Sequence, residues 1–231
     1  MAELERTIER AETAQDRSET ADRASHLSYV AHEVRNPLAT ALWSAELLTR
    51  MSSEERGGPR GEKLAGMCLR AIGRVRHLVE DHLLAERLDA AGVSVAFEAM
   101  RLEALLPRDA AAIGAPTLSI DVEPGLAIDT DAQLGRRAVE AILAAAAQGG
   151  TAVRLSARRA GRSIRIRVDG SPATPGDLAD RRRGDAKDVA GTCLALGVAR
   201  RAAAALGGSL TVEAGAFVLE LPAADPAHLD P

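Results

Sequence analysis

From Ala2 to Thr49 the chain contains no glycine, and its only proline is Pro37. A stretch that long without a backbone breaker is committed to helix. From Leu27 onward, Leu27, Ala31, Val34, Leu38, Ala41, Ala45 and Leu48 recur in alternating steps of four and three. Such a heptad seam has to be buried against another helix. Pro37 falls inside it, which predicts a local kink rather than a helix end. Residues 1–24 mix charges of both signs and predict a solvated helical lead-in.

Ser52–Gly61 (SSEERGGPRG) reads as a loop. A second helix is expected from about Glu62 to Ala90. Its stripe is Leu64, Cys68, Ala71, Val75 and Leu78, widened by Ile72, Val79 and Leu83. Two long amphipathic helices joined by a short loop make an antiparallel hairpin, here residues 25–91. One hairpin cannot enclose its own stripe, so pairing with a second copy into a homodimeric four-helix bundle is expected.

After Ala91-Gly92 the pattern changes. Val93–Phe97, Ser119–Val122, Ala152–Ala157 and the alternating Arg162–Val168 predict strands. Arg101–Leu106, Leu134–Ala147 and Thr192–Leu206 predict helices, Pro172–Ala190 a loop, and Ser209–Leu221 a closing hairpin. Residues 92–223 are therefore read as an α/β sandwich, with 224–231 a disordered tail. The fold class is α+β.

Composition limits what such a chain can do. At 46% hydrophobic and 27% charged it can build a core, and at 2% aromatic that core must be aliphatic. A formal charge of −4 argues against nucleic acid as partner. No apolar run approaches the roughly 20 residues that span a bilayer, and Met1–Arg10 does not read as a signal peptide. Cys68 and Cys193 stand far apart, suiting neither a disulfide framework nor a metal site. A cytoplasmic protein without membrane insertion is expected.

The chemistry-bearing residues lie on the first helix: His32-Glu33-Val34-Arg35-Asn36-Pro37-Leu38. In the heptad frame His32 points off the seam, toward solvent. Glu33 can hydrogen-bond one ring nitrogen and leave the other as a nucleophile. Asn36 lies one turn below, where its amide can meet an anionic group or a water. Trp43, the only tryptophan, falls on roughly the same face three turns from His32. It either packs against another element or serves as an exposed anchor for a partner.

LSYVAHEVRNPLATALWSAELL resembles the phosphoacceptor box of sensor histidine kinases, and LVEDHLLAERLDAAGVSVAFEAMRLEALL resembles the family's junction to its ATPase domain. The resemblance runs from about Ala24 to Pro222. It implies a dimerisation and phosphorylation bundle, an α/β sandwich of the histidine-kinase ATPase type, and phosphate carried on His32. It also implies three nucleotide-binding elements, which this sequence keeps in degraded form. Aligned on Leu134, Glu140 and Ala144 stand where the family has two asparagines, and a methyl cannot ligate Mg²⁺. In the D-x-G-x-G turn Asp169 is kept, while Ser171 and Ala173 replace glycines. In G-x-G-x-G only Gly191 survives, since Cys193 and Ala195 would crowd the phosphates. Glu140, Ala144, Asp169 and Gly191 thus read as a vestigial nucleotide site, with ATP and Mg²⁺ binding lost or weak and no other cofactor or metal implied.

The function expected is phosphotransfer in a two-component phosphorelay, with His32, Glu33 and Asn36 as the reacting set. Receiver domains would be the partners, docking on Ala39, Thr40 and Trp43. A histidine kinase with a divergent but working ATP site, a receiver phosphatase using Asn36 to orient water, and a pseudokinase scaffold are the alternatives.

Overall fold

The computed structural model describes residues 30–90, 94–178 and 192–225, except for the side chain of Cys193. The charged lead-in 1–24, Leu27, Gly191 and most of the tail lie outside those residues. Two compact units divide between Glu80 and Asp81, ten residues and more ahead of the boundary read at 91/92.

The first unit is built on α1 (30–50), the one-turn α2 (Ser53–Arg56) and α3 (Pro59–Asp89). The stretch expected as loop contains α2, because Ser52 and Glu55 close a capping box. The Ser52 hydroxyl accepts from the Glu55 N–H at 3.2 Å, and the Glu55 carboxylate accepts from the Ser52 N–H at 3.0 Å. Pro59 opens α3, where its missing N–H costs nothing. Gly61 fits at a close approach: a Cβ there would run into the carbonyl of Arg56.

On α1 the chain is helical straight through Pro37. Val30, Pro37, Ala41, Ser44 and the following Met51 are buried, with Val34 and Leu48 half-buried between them. The seam is therefore 30, 34, 37, 41, 44, 48, 51. This corrects the expected one: Ala31 and Leu38 are exposed and Ala45 is half-buried. The reason is that the apolar arc of α1 is wider than one contact. Two heptad strings share Val34, Ala41 and Leu48, and the hairpin closes on the one that runs through Val30, Pro37 and Ser44. On α3 the expected stripe holds, with Leu64, Ala71 and Leu78 buried and Cys68 and Val75 half-buried.

Residues just before and just after a seam position lie about 100° to either side of it. In an antiparallel hairpin the following residues of both helices project to one side, and the preceding residues to the other. The first side carries Ala31, Leu38, Leu42 and Ala45 from α1, with Leu69, Ile72 and Val79 from α3. It is open and apolar except for Arg35 and Arg76, Leu69 being 71% exposed and Leu42 61%. The second side carries Glu33, Asn36, Thr40, Trp43 and Leu47, with Lys63, Met67, Arg70, Arg74 and His77.

The second unit begins with the last turns of α3, whose Leu84 and Leu88 pack against its core. It contains β1 (Glu98–Arg101), β2 (Leu118–Val122), β3 (Ala127–Thr130), α4 (Ala132–Ala146), β4 (Val153–Ala160), β5 (Ser163–Asp169), α5 (Thr192–Ala205), β6 (Ser209–Glu213) and β7 (Ala216–Pro222). β1 pairs with β3, and a five-stranded sheet runs β2-β4-β5-β7-β6, parallel only at β2/β4. α4 and α5 join the sheet residues Leu155, Ala157, Ile164, Ile166, Val168, Phe217 and Leu219 in one core. Three differences from expectation stand out. The strand read at Val93–Phe97 forms later, at Glu98–Arg101, because the N–H of Ala96 bonds to the Asp131 carboxylate while Phe97 stands exposed. β3 is short and was not expected. The folded body also reaches past 223, since the N–H of Ala224 bonds to the Ala127 carbonyl at 2.8 Å and Ala224 is buried.

Two substitutions in the hairpin should act with opposite sign. Gly61→Ala forces apart the α2–α3 turn and should cost about 1–3 kcal/mol. The Ser44 hydroxyl is buried with no hydrogen-bond partner, so Ser44→Ala should be neutral or stabilise by about 1 kcal/mol. Thermal denaturation of the two variants checks both. The Ser52 N–H and hydroxyl hold the Glu55 carboxyl below its ordinary value of 4.5. The cap is therefore complete above that value and is lost as pH falls through the lowered one. In an NMR titration Glu55 should show a depressed midpoint that Ser52→Ala moves back up.

Candidate functional site

His32 stands on the exposed surface of α1, and Asn36, Ala39 and Trp43 follow it along the same exposed arc. Trp43 is 54% exposed, which decides its reading: it is not packed away. Thr40 lies beside this arc and its hydroxyl donates to the Asn36 carbonyl at 3.1 Å, tying it back to the helix. Glu33 is half-buried next to His32. Pro37 has no N–H to send back to the carbonyl of Glu33, so the backbone below the histidine differs from a regular turn.

In the second unit Asp131 caps α4, its carboxylate accepting from the N–H groups of Gln133 and Leu134 at 3.0 and 3.1 Å. Glu140 and Ala144 follow on the exposed face of that helix, one turn apart. Glu140 faces Arg137 at 3.8 Å. Arg137 in turn gives Nε and Nη2 to Oδ1 of Asp81, at 2.7 and 2.5 Å, and Asp81 is only 3% exposed. Glu140 therefore lies at the open end of a chain of charges anchored on a buried carboxylate.

Asp169 ends β5. Ile164, Ile166 and Val168 of that strand turn into the core, and Arg165, Arg167 and Asp169 alternate to the other face. Arg167 clamps the Asp169 carboxylate, with Nε at 3.1 Å from both oxygens and Nη2 at 2.8 Å from Oδ1. The next residue, Gly170, lets the strand end touch the end of α4, since a Cβ would strike the Ala146 carbonyl. That same carbonyl accepts from the N–H of Ser171 at 2.7 Å, and the N–H of Ala173 bonds to Gly215 at 2.9 Å. Glycine is needed here at 170, and the chain at 171 and 173 is held by its own backbone.

Of the residues read as a nucleotide site, Glu140 faces one arginine, Asp169 is held by another, and Ala144 offers a methyl where a hard cation would need oxygen. Among the described residues no three His, Cys, Asp or Glu cluster as metal ligands. Gly191 lies outside the described residues. The neighbouring Thr192 is tied to the loop after α4, where the Gln148 amide donates to its hydroxyl at 2.6 Å.

Residues 22–91 match the His Kinase A (phospho-acceptor) domain family. The hairpin is similar to that phosphoacceptor family over its whole length. The whole described chain shares its fold with the histidine kinase AdeS of Acinetobacter baumannii, at 15% identity and TM-score 0.58, over 84% of this chain and 98% of that one. It is also similar to full-length ShkA, solved in complex with AMPPNP. That likeness has 23% identity and TM-score 0.55, and covers 87% of this chain and 46% of ShkA. No curated protein matches the sequence. A helical hairpin followed by an α/β sheet domain is the fold shared with these histidine kinase structures. Among the described residues no helix is long and apolar enough to cross a membrane.

Three residues of the site escaped the sequence reading: Arg167, Asp81 and Arg137. Strict alternation is the signal for Arg167, since it sets that residue two before Asp169 on one strand face. The Asp81–Arg137 pair has no such signal, because 56 residues separate its partners and no local pattern joins them.

Removing Arg137 alone takes the guanidinium away from a buried carboxylate, so Arg137→Met should destabilise the second unit, by up to about 3–5 kcal/mol. Adding Asp81→Leu should recover most of that loss. Urea denaturation of the single and double variants measures it.

Proposed function

We propose that the chain is a phosphohistidine carrier of two-component signalling. His32 takes phosphate from the aspartyl phosphate of one receiver domain and returns it to another. An imidazole nitrogen attacks phosphorus, a P–N bond forms as the aspartyl P–O bond breaks, and the receiver's aspartate leaves as carboxylate. Glu33 holds the ring tautomer and offsets the positive charge that develops on it. Asn36 supplies an amide beside the reacting group, and Ala39, Thr40 and Trp43 meet the docked receiver. Mg²⁺ and in-line geometry come with the receiver, so the carrier needs none of its own.

The observation that carries this reading is the pairing of an exposed His32 with a second unit whose two candidate nucleotide carboxylates both face arginines. A nucleotide would have to displace both contacts and still lack an oxygen at Ala144. The second reading is a kinase that uses ATP, which the retained kinase-type fold favours.

The open apolar side of the hairpin fits a second copy of this chain. Burying the exposed parts of Leu38, Leu42, Leu69, Ile72 and Val79 contributes on the order of 1 kcal/mol each, counted on both copies of a symmetric interface. That is the scale required against the several kcal/mol that association costs.

Radiolabelled phosphate on a purified receiver should pass to this protein and not to His32→Ala. Titration calorimetry with a non-hydrolysable ATP analogue and Mg²⁺ should give no heat of binding. Label surviving in His32→Ala overturns the carrier assignment. Tight nucleotide binding with label appearing on His32 from ATP moves the protein to the second reading.

A further inference from the structure

β2 is an outer strand of the five-stranded sheet, and its free edge pairs with no strand among the described residues. The N–H of Val153 bonds to the Thr117 carbonyl, and the N–H of Glu123 to the Ala157 carbonyl. In a parallel ladder alternate residues bond to the neighbouring strand, so Thr117, Ser119, Asp121 and Glu123 turn their backbone to β4. Leu118, Ile120 and Val122 turn theirs to the open edge, where no backbone bond meets them among the described residues. The other outer strand, β6, has the helical turn Pro175–Leu178 against it. Native sheets commonly blunt an open edge with lysines, a bulge or a proline inside the strand. β2 has neither lysine nor proline, and its register with β4 runs unbroken from Leu118 to Val122. Ile120, at its centre, is 42% exposed, the one large hydrophobe left so among the described residues of this sheet.

We propose that β2 pairs with β2 of a second copy, antiparallel about a two-fold axis through Ile120, so that two sheets become one. The register carries the assignment. With Ile120 opposite its own counterpart, Leu118 stands opposite Val122, and each such pair exchanges both N–H···O bonds. Pro116 then stands opposite Pro124, so the pairing ends where neither copy has an N–H to give. Leu118, Ile120 and Val122 fall on one face, continuous with the core that Leu118 and Val122 already pack against. On the other face Ser119 meets Asp121 of the second copy as a non-hydrogen-bonded pair, the closer kind. Arg158 holds Oδ2 of Asp121 at 2.6 Å, and Oδ1 is left to accept from that serine. Slipping the strands by two residues in one direction sets Asp121 against Asp121 and Pro124 against Leu118. Slipping them the other way sets Pro116 against Val122. A slip of one residue leaves each open residue facing one already bonded to β4. A single register thus satisfies backbone and charge together. β2 is five residues long, so the contact is small and belongs to the weak class. It is separate from the apolar side of the hairpin, and where that side pairs as well it joins pairs of chains into larger assemblies.

Sedimentation velocity of the full chain over a range of concentrations tests this, with Leu69→Glu used to remove association through the hairpin. Leu69→Glu alone should still self-associate. Adding Ser119→Asp sets a second carboxylate against Asp121 of the other copy, while on its own chain the new group lies beside Arg154, its register partner on β4. It should weaken the association about five- to thirtyfold, less at high salt, at an unchanged melting temperature. Adding Ile120→Pro instead removes an N–H that faces away from β4, and should weaken the association about tenfold. In the chain without Leu69→Glu, the same two substitutions should lower the largest species formed. A Leu69→Glu chain that stays monomeric up to about 1 mM overturns the proposal. So does association that Ser119→Asp leaves within twofold, because the copies then meet in another register or elsewhere. Should Ile120→Pro lower the melting temperature, Ser119→Asp alone decides. Phosphate transfer to His32 is read in a separate assay, so failure of the β2 contact leaves the carrier reading standing, and the reverse.

Discussion

Small side chains along one line of α1 govern the first unit. Ala41 and Ser44 on α1 and Ala71 on α3 are all buried, with Cys68 half-buried, so the hairpin closes over residues that fill little volume. Packing at that distance fixes the rotation of both helices, since only one heptad string of each can face inward. Everything else about the hairpin is a consequence of that rotation. Larger aliphatics one step after the seam are turned to one side, where they remain open. Asn36, Trp43 and the cations one step before it are turned to the other, beside His32. A change in the seam would therefore redistribute both surfaces together.

The sequence was read correctly where a single period determined the outcome. The α3 stripe, β5, α4 and the last hairpin were each legible from their spacing. The α1 seam was misplaced by one residue because Leu38 and Pro37 are adjacent, and the larger hydrophobe is the more persuasive on paper. Leu38 faces out because the hairpin makes its contact through the neighbouring string. β3 was invisible because Ala127–Thr130 is too short to show a period, and it depends on pairing with β1 and a bridge from Ile128 to Ala223. Of the candidate site, His32, Asn36 and Trp43 were legible as one helical arc. The state of Asp169 and Glu140 was not, because an arginine partner is a fact about conformation as well as composition.

The two units treat charge differently. In the hairpin, Lys63, Arg70 and Arg74 have no acidic partner among the described residues. In the second unit, Arg137, Arg158, Arg165 and Arg167 all end on carboxylates: Asp81, Asp121, Glu220 and Asp169. Arg201 likewise meets Asp89 at 2.7 Å. Isolated exposed pairs of this kind add little stability each. Asp81 is the exception, because its carboxylate is out of water and Arg137 sets a positive charge directly against it.

Val218 gives this arrangement a further meaning. It points to the side of the sheet away from α4 and α5, where no helix lies among the described residues, yet its exposure is 0%. Its cross-strand neighbours are Arg167 and Thr211, so the hydrocarbon stem of an arginine whose head is held by Asp169 stands beside it. Long side chains thus overlap along that side of the sheet like shingles. A molecule seeking to settle there would first have to lift the tiles.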